Sequence, residues 1–301
     1  MVITQSGLLL IDKPEGPSSA YVVHRVKKTL GAKRVGHLGT LDPFASGLLL
    51  VGVNEGTKIA DIFLAGAKSY RAVMVLGVET DTQDLTGKVI EQRPAPTLVE
   101  ADLRRVEQEF TGARMQVPPM FSALKKDGVR LYRLARQGRE IERAAREIRI
   151  DSLSLRCLSA TEVEFDVTCS RGTYVRTLGA DMGKALGCGA HLKSLRRVAC
   201  DHLTLAQAIT LEQLEAHAQK GEIPLLALAS ALRHLPAVTW QSRLIDRLRL
   251  GQQEVLSQLE RAPDGAKFLA ILDPRDRLAA LVKWTDDLPG GRWRLYRVFH
   301  E

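Results

Sequence analysis

The sequence predicts an α+β fold built on a mixed, mainly antiparallel sheet, with a small β-rich module at its C-terminal end. Three observations carry this. Glu162 to Cys169 alternates cleanly, with Val163, Phe165, Val167 and Cys169 on one face, which is the pattern of a half-buried strand. Runs with apolar residues at helical spacing, such as Val22, Val23, Val26 and Leu30, are interleaved with such strands rather than segregated from them. Beyond Pro236, short apolar runs separated by turn residues define the terminal module.

With 301 residues the chain has room for one large domain and a small one, or for two of ordinary size. We expect a main domain over 1–235 and the small one over 236–301. A formal net charge of +8 favours a polyanionic partner. Cys157, Cys169, Cys188 and Cys200 have no close-paired spacing and no nearby paired His, so they read as reduced, mostly buried thiols rather than as zinc ligands or a redox pair. No apolar run is long enough to cross a bilayer, and the start lacks a basic region followed by an apolar one. A cytosolic protein is expected.

Gly7 to Ile11 is a strand that leads into the turn-rich Asp12-Lys13-Pro14-Glu15-Gly16-Pro17. Ser18 or Ser19 caps the helix bearing Val22 to Leu30, and Gly31 stops it. Three glycines and a proline between Gly36 and Gly47 then predict an ordered loop, GHLGTLDPFASG. Asp42 lies within it, held off a helical surface by Pro43. By spacing alone this residue is a turn aspartate accepting backbone hydrogen bonds or a reactive acid. Leu48 to Val53 reads as a buried strand and Thr57 to Phe63 as a short helix with Ile59, Ile62 and Phe63 inward. Lys68 to Gly77 is another strand, with Tyr70, Ala72, Met74 and Leu76 on one face.

Thr97 with Glu100 forms a capping box for a helix that buries Leu103, Val106 and Phe110 and ends at Gly112. Two prolines and a glycine keep Gln116 to Arg130 from being a simple helix. Leu131 to Gln137 is helix-like, and a charge-rich helical stretch continues toward Arg149. Nine cations lie between Lys125 and Arg149, against five acids counting the adjoining Asp151. Such a stretch is ordinarily a solvated face. After the Glu162 to Cys169 strand and the turn Ser170-Arg171-Gly172, a helix runs from Thr173 to Ala185, which places Arg176 in its first turn. Ala190 to Arg197 adds another basic segment, for which an ordinary surface is one reading. Leu205 to Gln219 and the stretch around Leu225 to Leu232 are helical, and Pro236 marks the boundary. Phe268 to Leu272, Leu278 to Trp284 and Trp293 to Phe299 are the strands of the terminal module.

Several of these segments, in order, resemble the TruB family of tRNA pseudouridine synthases. GHLGTLDPFASGLL resembles its catalytic motif, which implies that Asp42 is the essential carboxylate. Phe44 and Ser46 stand where the family more often has Leu and Ala or Thr. Lys68-Ser69-Tyr70-Arg71 resembles its KxYR motif, whose tyrosine stacks on the uracil and serves in proton transfer. CSRGTYVRTL resembles the motif whose arginine pairs with the aspartate, so Arg176 would hold Asp42 charged and aimed, in bidentate fashion. Leu178 would take part in the pocket wall. His37 would fill the space left by the extruded base, acting by stacking. Lys13-Pro14 matches an N-terminal motif that supports the active-site loop, and we also count Lys13 among the RNA contacts. Thr80 to Gly87 matches a family loop, whose acids we give no catalytic role.

The QVPPMFSALKKDG and LYRLARQG runs resemble the family's insertion, here about 116–146, that grips the T arm. Lys125, Lys126, Arg130, Arg133 and Arg136 are its expected phosphate contacts, which position RNA without reading its sequence. The resemblance thus implies a pseudouridine synthase fold with a PUA-like C-terminal domain. It also implies conversion of uridine 55 of tRNA to pseudouridine, with no cofactor, no metal, no guide RNA and no membrane partner. A monomer is expected. The rivals are a non-catalytic RNA-binding protein on the same scaffold, and a guide-RNA-dependent synthase.

Overall fold

The N-terminal apolar runs become strands buried on both faces. In the computed structural model, which describes residues 2–122, 124–126, 128–261, 266–286 and 291–300, β1 (Gly7–Lys13) sends Leu9 and Ile11 into one core and Leu8 and Leu10 into another. In α1 (Ser19–Leu30), Ser18 accepts from the Tyr21 N–H, Val22, Val26 and Leu30 are buried, and Gly31 adopts the left-handed conformation that ends the helix. β2 (Val35–His37) and β3 (Ser46–Val53) follow. Both ends of the expected Gly36 to Gly47 loop are therefore strand, and the loop proper is residues 38–45. Every residue of β3 is buried, with Leu49 and Val51 in the first core and Leu48 and Leu50 in the second. A 3-10 turn and α2 (Ala60–Ala65) point Ile59, Ile62 and Phe63 inward, as their spacing predicts.

β4 (Lys68–Leu76) is followed by the hairpin β5 (Val78–Thr80) and β6 (Val89–Gln92). α3 (Glu100–Phe110) buries Leu103, Val106 and Phe110, but Thr97 does not cap it. Val99 is the cap residue, and its N–H donates to Asp102 Oδ2 at 3.0 Å; an acid at the third helical position supplies the back-bond expected of Glu100. β7 (Gly112–Gln116), the short pair β8 (Lys125–Lys126) and β9 (Val129–Arg130), and α4 (Leu131–Arg136) come next. The charged stretch beyond α4, expected helical, ends instead in β10 (Arg146–Cys157). Ile148 and Ile150 are buried there while Glu147, Arg149 and Asp151 are exposed, a period of two that the charge density conceals.

β11 (Glu162–Cys169) has the expected bounds, α5 (Val175–Ala185) carries Arg176, and β12 (Ala190–Cys200) and β13 (Leu203–Thr204) follow. α6 (Leu211–Lys220) starts later than expected because Thr210 caps it, accepting from Gln213 N–H at 3.2 Å. α7 (Leu228–Ala231) is short because Leu226 is held extended by backbone bonds to Leu8. Among the described residues the main sheet has nine strands in the order β1-β3-β12-β4-β11-β10-β7, with β2 on β3 and β13 on β12. The β12–β3 pairing is parallel and the others antiparallel, the mixed, mainly antiparallel sheet expected. The basic segment Ala190 to Arg197 is thus an interior strand rather than an ordinary surface.

The terminal module contains β14 (Ala237–Thr239), α8 (Ser242–Arg249), β15 (Phe268–Leu272), β16 (Leu278–Thr285) and β17 (Arg292–Val298) in a four-stranded sheet. Its last three strands lie where the sequence predicts them, and α8 is additional. Ile271, Val282 and Trp293 pack with Ile245 and Leu248 of α8. Ala270, Leu278, Leu281 and Phe299 join Leu8 and Leu48 in the second core, so the module is joined to the main sheet by continuous apolar packing.

Candidate active site

Loop 38–45 is fixed from several sides. Ser19 Oγ donates to the Leu41 carbonyl and accepts from the Leu41 N–H, at 2.9 and 2.8 Å, tying the residue before Asp42 to the first turn of α1. Leu41, Phe44 and Ala45 are buried. Lys13, expected as an RNA contact, has no exposed surface. Its Nζ donates to the carbonyls of Pro14, Pro17 and Pro43 at 2.8, 2.9 and 3.3 Å, so it buttresses the loop instead of offering its charge to a phosphate. Burial pushes its ammonium down to about 8, against the opposing pull of Asp42.

The loop leaves Asp42 half-buried with its carboxylate beside α5. Arg176 Nε donates to Asp42 Oδ2 at 2.8 Å. The bidentate pairing expected is not formed, because the other two nitrogens are committed elsewhere: Nη1 to the Thr82 carbonyl at 2.6 Å and Nη2 to the Phe121 carbonyl at 2.7 Å. Arg176 therefore joins the carboxylate to loop 80–87 and, through Phe121, to the segment 116–146. Gln116, itself buried, reinforces the second link by exchanging hydrogen bonds with the Tyr174 backbone at 2.8 and 3.1 Å.

Tyr70 is half-buried on β4 and packs against the core that includes Leu178, which is fully buried on α5. Burial pushes its phenol up to about 12, with Arg197 opposing that shift. His37, on β2, is also half-buried; burial and then Arg197 lower its pKa, and its Nδ1 has no hydrogen-bond partner among the described residues. A neutral ring is suited to stacking. Arg130, Arg133 and Arg136 are exposed, with Arg136 over the Tyr132 ring at 5.6 Å. The side chains of Lys125 and Lys126, and all of Ala123 and Asp127 within the same motif, lie outside the described residues.

Three residues of the site carry no sequence signal of their role. Asp84 is buried, accepts from Thr82 Oγ1, Thr86 N–H and Thr86 Oγ1 at 2.8, 2.9 and 2.6 Å, and lies 3.7 Å from Arg176, so this loop does contribute an acid to the site's charge balance. Tyr174, half-buried, has its pKa raised by burial and lowered in part by Ser122, Arg146 and Arg176. Arg197 is buried beneath the loop. The spacing TDTQDLTG did announce an ordered turn, but not that Asp84 faces inward.

The mixed sheet thus carries an aspartate loop at one side, with a buried arginine behind the carboxylate. Solved structures agree on the fold: a chain of an H/ACA RNP bound to a substrate RNA containing 2′-deoxyuridine superposes with a TM-score of 0.72 at 24% identity, covering 98% of this chain and 85% of that one. A chain of a Cbf5-Nop10-Gar1 complex gives 0.70 at 26% identity with the same coverage. The model of the TruB family pseudouridylate synthase N-terminal domain matches residues 27–175, and that of the tRNA pseudouridylate synthase B C-terminal domain matches residues 176–235. The tRNA pseudouridine synthase B of Geobacter sulfurreducens is 44% identical, over 98% of this chain and 99% of the relative. That of Syntrophobacter fumaroxidans is 41% identical over 97% and 98%. The chain belongs to the TruB family of pseudouridylate synthases.

Proposed function

We propose that this chain converts uridine 55 in the T arm of tRNA to pseudouridine, alone, without guide RNA or cofactor. The observation that carries the reading is the contact of Asp42 with Arg176, made between two motifs of a chain 41–44% identical to tRNA pseudouridine synthases B over nearly its whole length. The target base is stacked inside the RNA and is extruded at a cost of a few kcal/mol, recovered by stacking and backbone contacts. Tyr70 stacks on the extruded uracil, and His37 fills the vacated space. Asp42 then attacks the sugar as a nucleophile, or removes a sugar proton to start glycal formation. Either way the bond from C1′ to N1 breaks and the uracil turns; C1′ then joins C5 as the bond to Asp42 breaks or as Asp42 returns the sugar proton, the C5 proton leaves by way of Tyr70, and N1 gains a proton.

Residues 116–146 grip the T arm through Arg130, Arg133 and Arg136, together with Lys125 and Lys126, while residues 236–301 form a PUA-like RNA-binding domain beside the catalytic domain 1–235. The enzyme works as a monomer in the cytoplasm, where tRNA is found. One observation favours a second reading, a guide-RNA-dependent synthase: chains of an H/ACA RNP and of a Cbf5-Nop10-Gar1 complex superpose over 98% of this chain. The insertion and the higher identity to stand-alone synthases weigh against it. Purified protein incubated with unmodified tRNA and no other RNA decides. Pseudouridine mapped at position 55 is expected; product only on addition of a guide RNA supports the second reading, and tRNA binding without product supports a non-catalytic RNA binder.

A further inference from the structure

Arg197 is 2% exposed and lies where β12 parts from β3. The two strands pair in parallel at Arg196–Ser46 and Arg197–Gly47. Gly47 makes the approach possible: its φ is +99°, and a Cβ there would stand 2.3 Å from the Arg197 carbonyl oxygen. Just past that point the guanidinium takes over from the strand. Its Nε donates to the Leu48 carbonyl at 2.7 Å, Nη2 to Gly39 at 3.0 Å and Nη1 to Thr40 at 3.3 Å. Gly39 and Thr40 lead directly to Leu41 and Asp42. On the other side, Arg197 is the cross-strand partner of Tyr70 on β4.

These hydrogen bonds all go to carbonyls, so among the described residues the buried charge is held without an ion pair to the carboxylate that such a cation usually needs. Its field is felt across the site: it opposes the rise of the Tyr70 phenol and adds to the lowering of Lys13 and His37. Lys13 and Ser19 hold the loop from the side of α1. Arg197 ties the same loop to the strand that bears Tyr70. A neutral side chain could fill the volume, but it would leave three carbonyls unsatisfied and the two halves of the site unconnected.

We propose that Arg197 is a positioning residue of this site, setting the Gly39–Thr40 backbone that presents Asp42 against the strand that presents Tyr70; this rests on the reading of the chain as a tRNA pseudouridine synthase. Loss of that tie leaves tRNA docking intact and slows the chemical step. Arg197→Lys retains the charge and cannot span Gly39, Thr40 and Leu48 together.

The test uses the full chain, with tRNA affinity measured by filter binding and the chemical step by single-turnover tritium release from unmodified tRNA. Arg197→Lys is expected to melt cooperatively, bind tRNA within about threefold of wild type and react roughly tenfold or more slowly, with Arg197→Met slower still. In a Tyr70→Phe background the penalty of Arg197→Lys is expected to shrink by about threefold or more, because both changes disturb one arrangement. Additive penalties, a loss confined to tRNA affinity, or a folded Arg197→Lys enzyme with the wild-type rate overturns the proposal, and Arg197→Lys decides alone if Arg197→Met does not fold. Absence of product from the wild type instead defeats the underlying reading.

Discussion

Arg176 Nε and Asp42 Oδ2 meet at 2.8 Å although the residues stand 134 positions apart. The two partners differ in setting: the Arg176 side chain is 4% exposed and that of Asp42 39%. A buried guanidinium fastened to two carbonyls is a fixed post, and the partly exposed carboxylate is what it aims. Asp84, at 3.7 Å, supplies the second negative charge that makes the burial of Arg176 tolerable.

Arg176→Lys therefore separates charge from geometry. A lysine keeps the positive charge but cannot serve Asp42, Thr82 and Phe121 at once, so at least one buried carbonyl loses its donor. We expect single-turnover pseudouridine formation to fall by roughly 10²-fold or more, since a misaimed reactive group costs about that much. Unfolding free energy should drop by about 1–3 kcal/mol, the usual cost of an unsatisfied buried acceptor. Denaturant titration and tritium release check the two numbers separately, and tRNA affinity should stay within about threefold, because the cations expected to meet phosphates, Arg130, Arg133 and Arg136, are unchanged.

Asp42→Asn keeps the shape of the side chain and its place on the loop. The loop is held through Leu41, Pro43 and their partners Ser19 and Lys13, none of which touches the carboxylate in doing so. Product formation is expected to disappear while tRNA binding and melting temperature remain close to wild type. Wild-type-like tritium release would defeat the assignment of Asp42.

Much of this was legible in the residues, and what was hidden has a common cause. Glu162 to Cys169 and α1 were readable because their apolar period is unbroken and their caps stand in the expected places. β10 was not, since charged residues occupy its exposed face and continue the composition of the segment before it. β12 carries two register shifts, between Leu192 and Ser194 and between Arg197 and Ala199, which scramble the alternation that would have marked Arg197 as inward-facing. Asp42, Tyr70 and Arg176 stood in recognisable motifs. Asp84 acts through burial beside Arg176, and Arg197 through backbone carbonyls, and those partners come only with the tertiary fold.

Lys13 gives the protein a pH dependence of definite sign. Its ammonium is lowered to about 8 from an ordinary 10.5, so between those values the unfolded chain binds more protons than the folded one. Stability contributed by this residue must rise with pH across that window and be flat below it. Relative to Lys13→Met, wild type should gain on the order of 2–3 kcal/mol between pH 8 and 10.5, by the conversion of pKa difference to free energy. Paired denaturant titrations of the two proteins across the window measure the slope, and a falling difference would show that the folded amine is not depressed.

Tyr70 behaves oppositely. With its phenol pushed up to about 12 from an ordinary 10.0, the unfolded chain loses the proton first, so its contribution to stability is lost as pH rises from 10 toward 12. At neutral pH the hydroxyl is protonated, and a role in moving the C5 proton requires a relay through it rather than a standing phenolate. Tyr70→Phe should keep the ring and tRNA affinity, slow turnover by roughly 10²-fold as expected for a lost acid-base group, and remove this alkaline loss of stability.

Arg130, Arg133 and Arg136 are exposed on the segment that also reaches the active site through Phe121 and Arg176. A cation that meets a phosphate contributes to affinity through release of counterions, and each such contact adds about 0.7 to 0.9 to the slope of log affinity against log salt. Replacing one of these arginines by Gln should therefore weaken tRNA binding at low salt and flatten that slope by nearly one, with little change at high salt and little change in the single-turnover rate at saturating enzyme. Arg136 is the most informative of the three, because its guanidinium lies over the Tyr132 ring at 5.6 Å and is held in a defined position while still exposed. An unchanged salt slope on replacing all three would mean that this stretch is only a solvated charged face and that the T arm is gripped elsewhere.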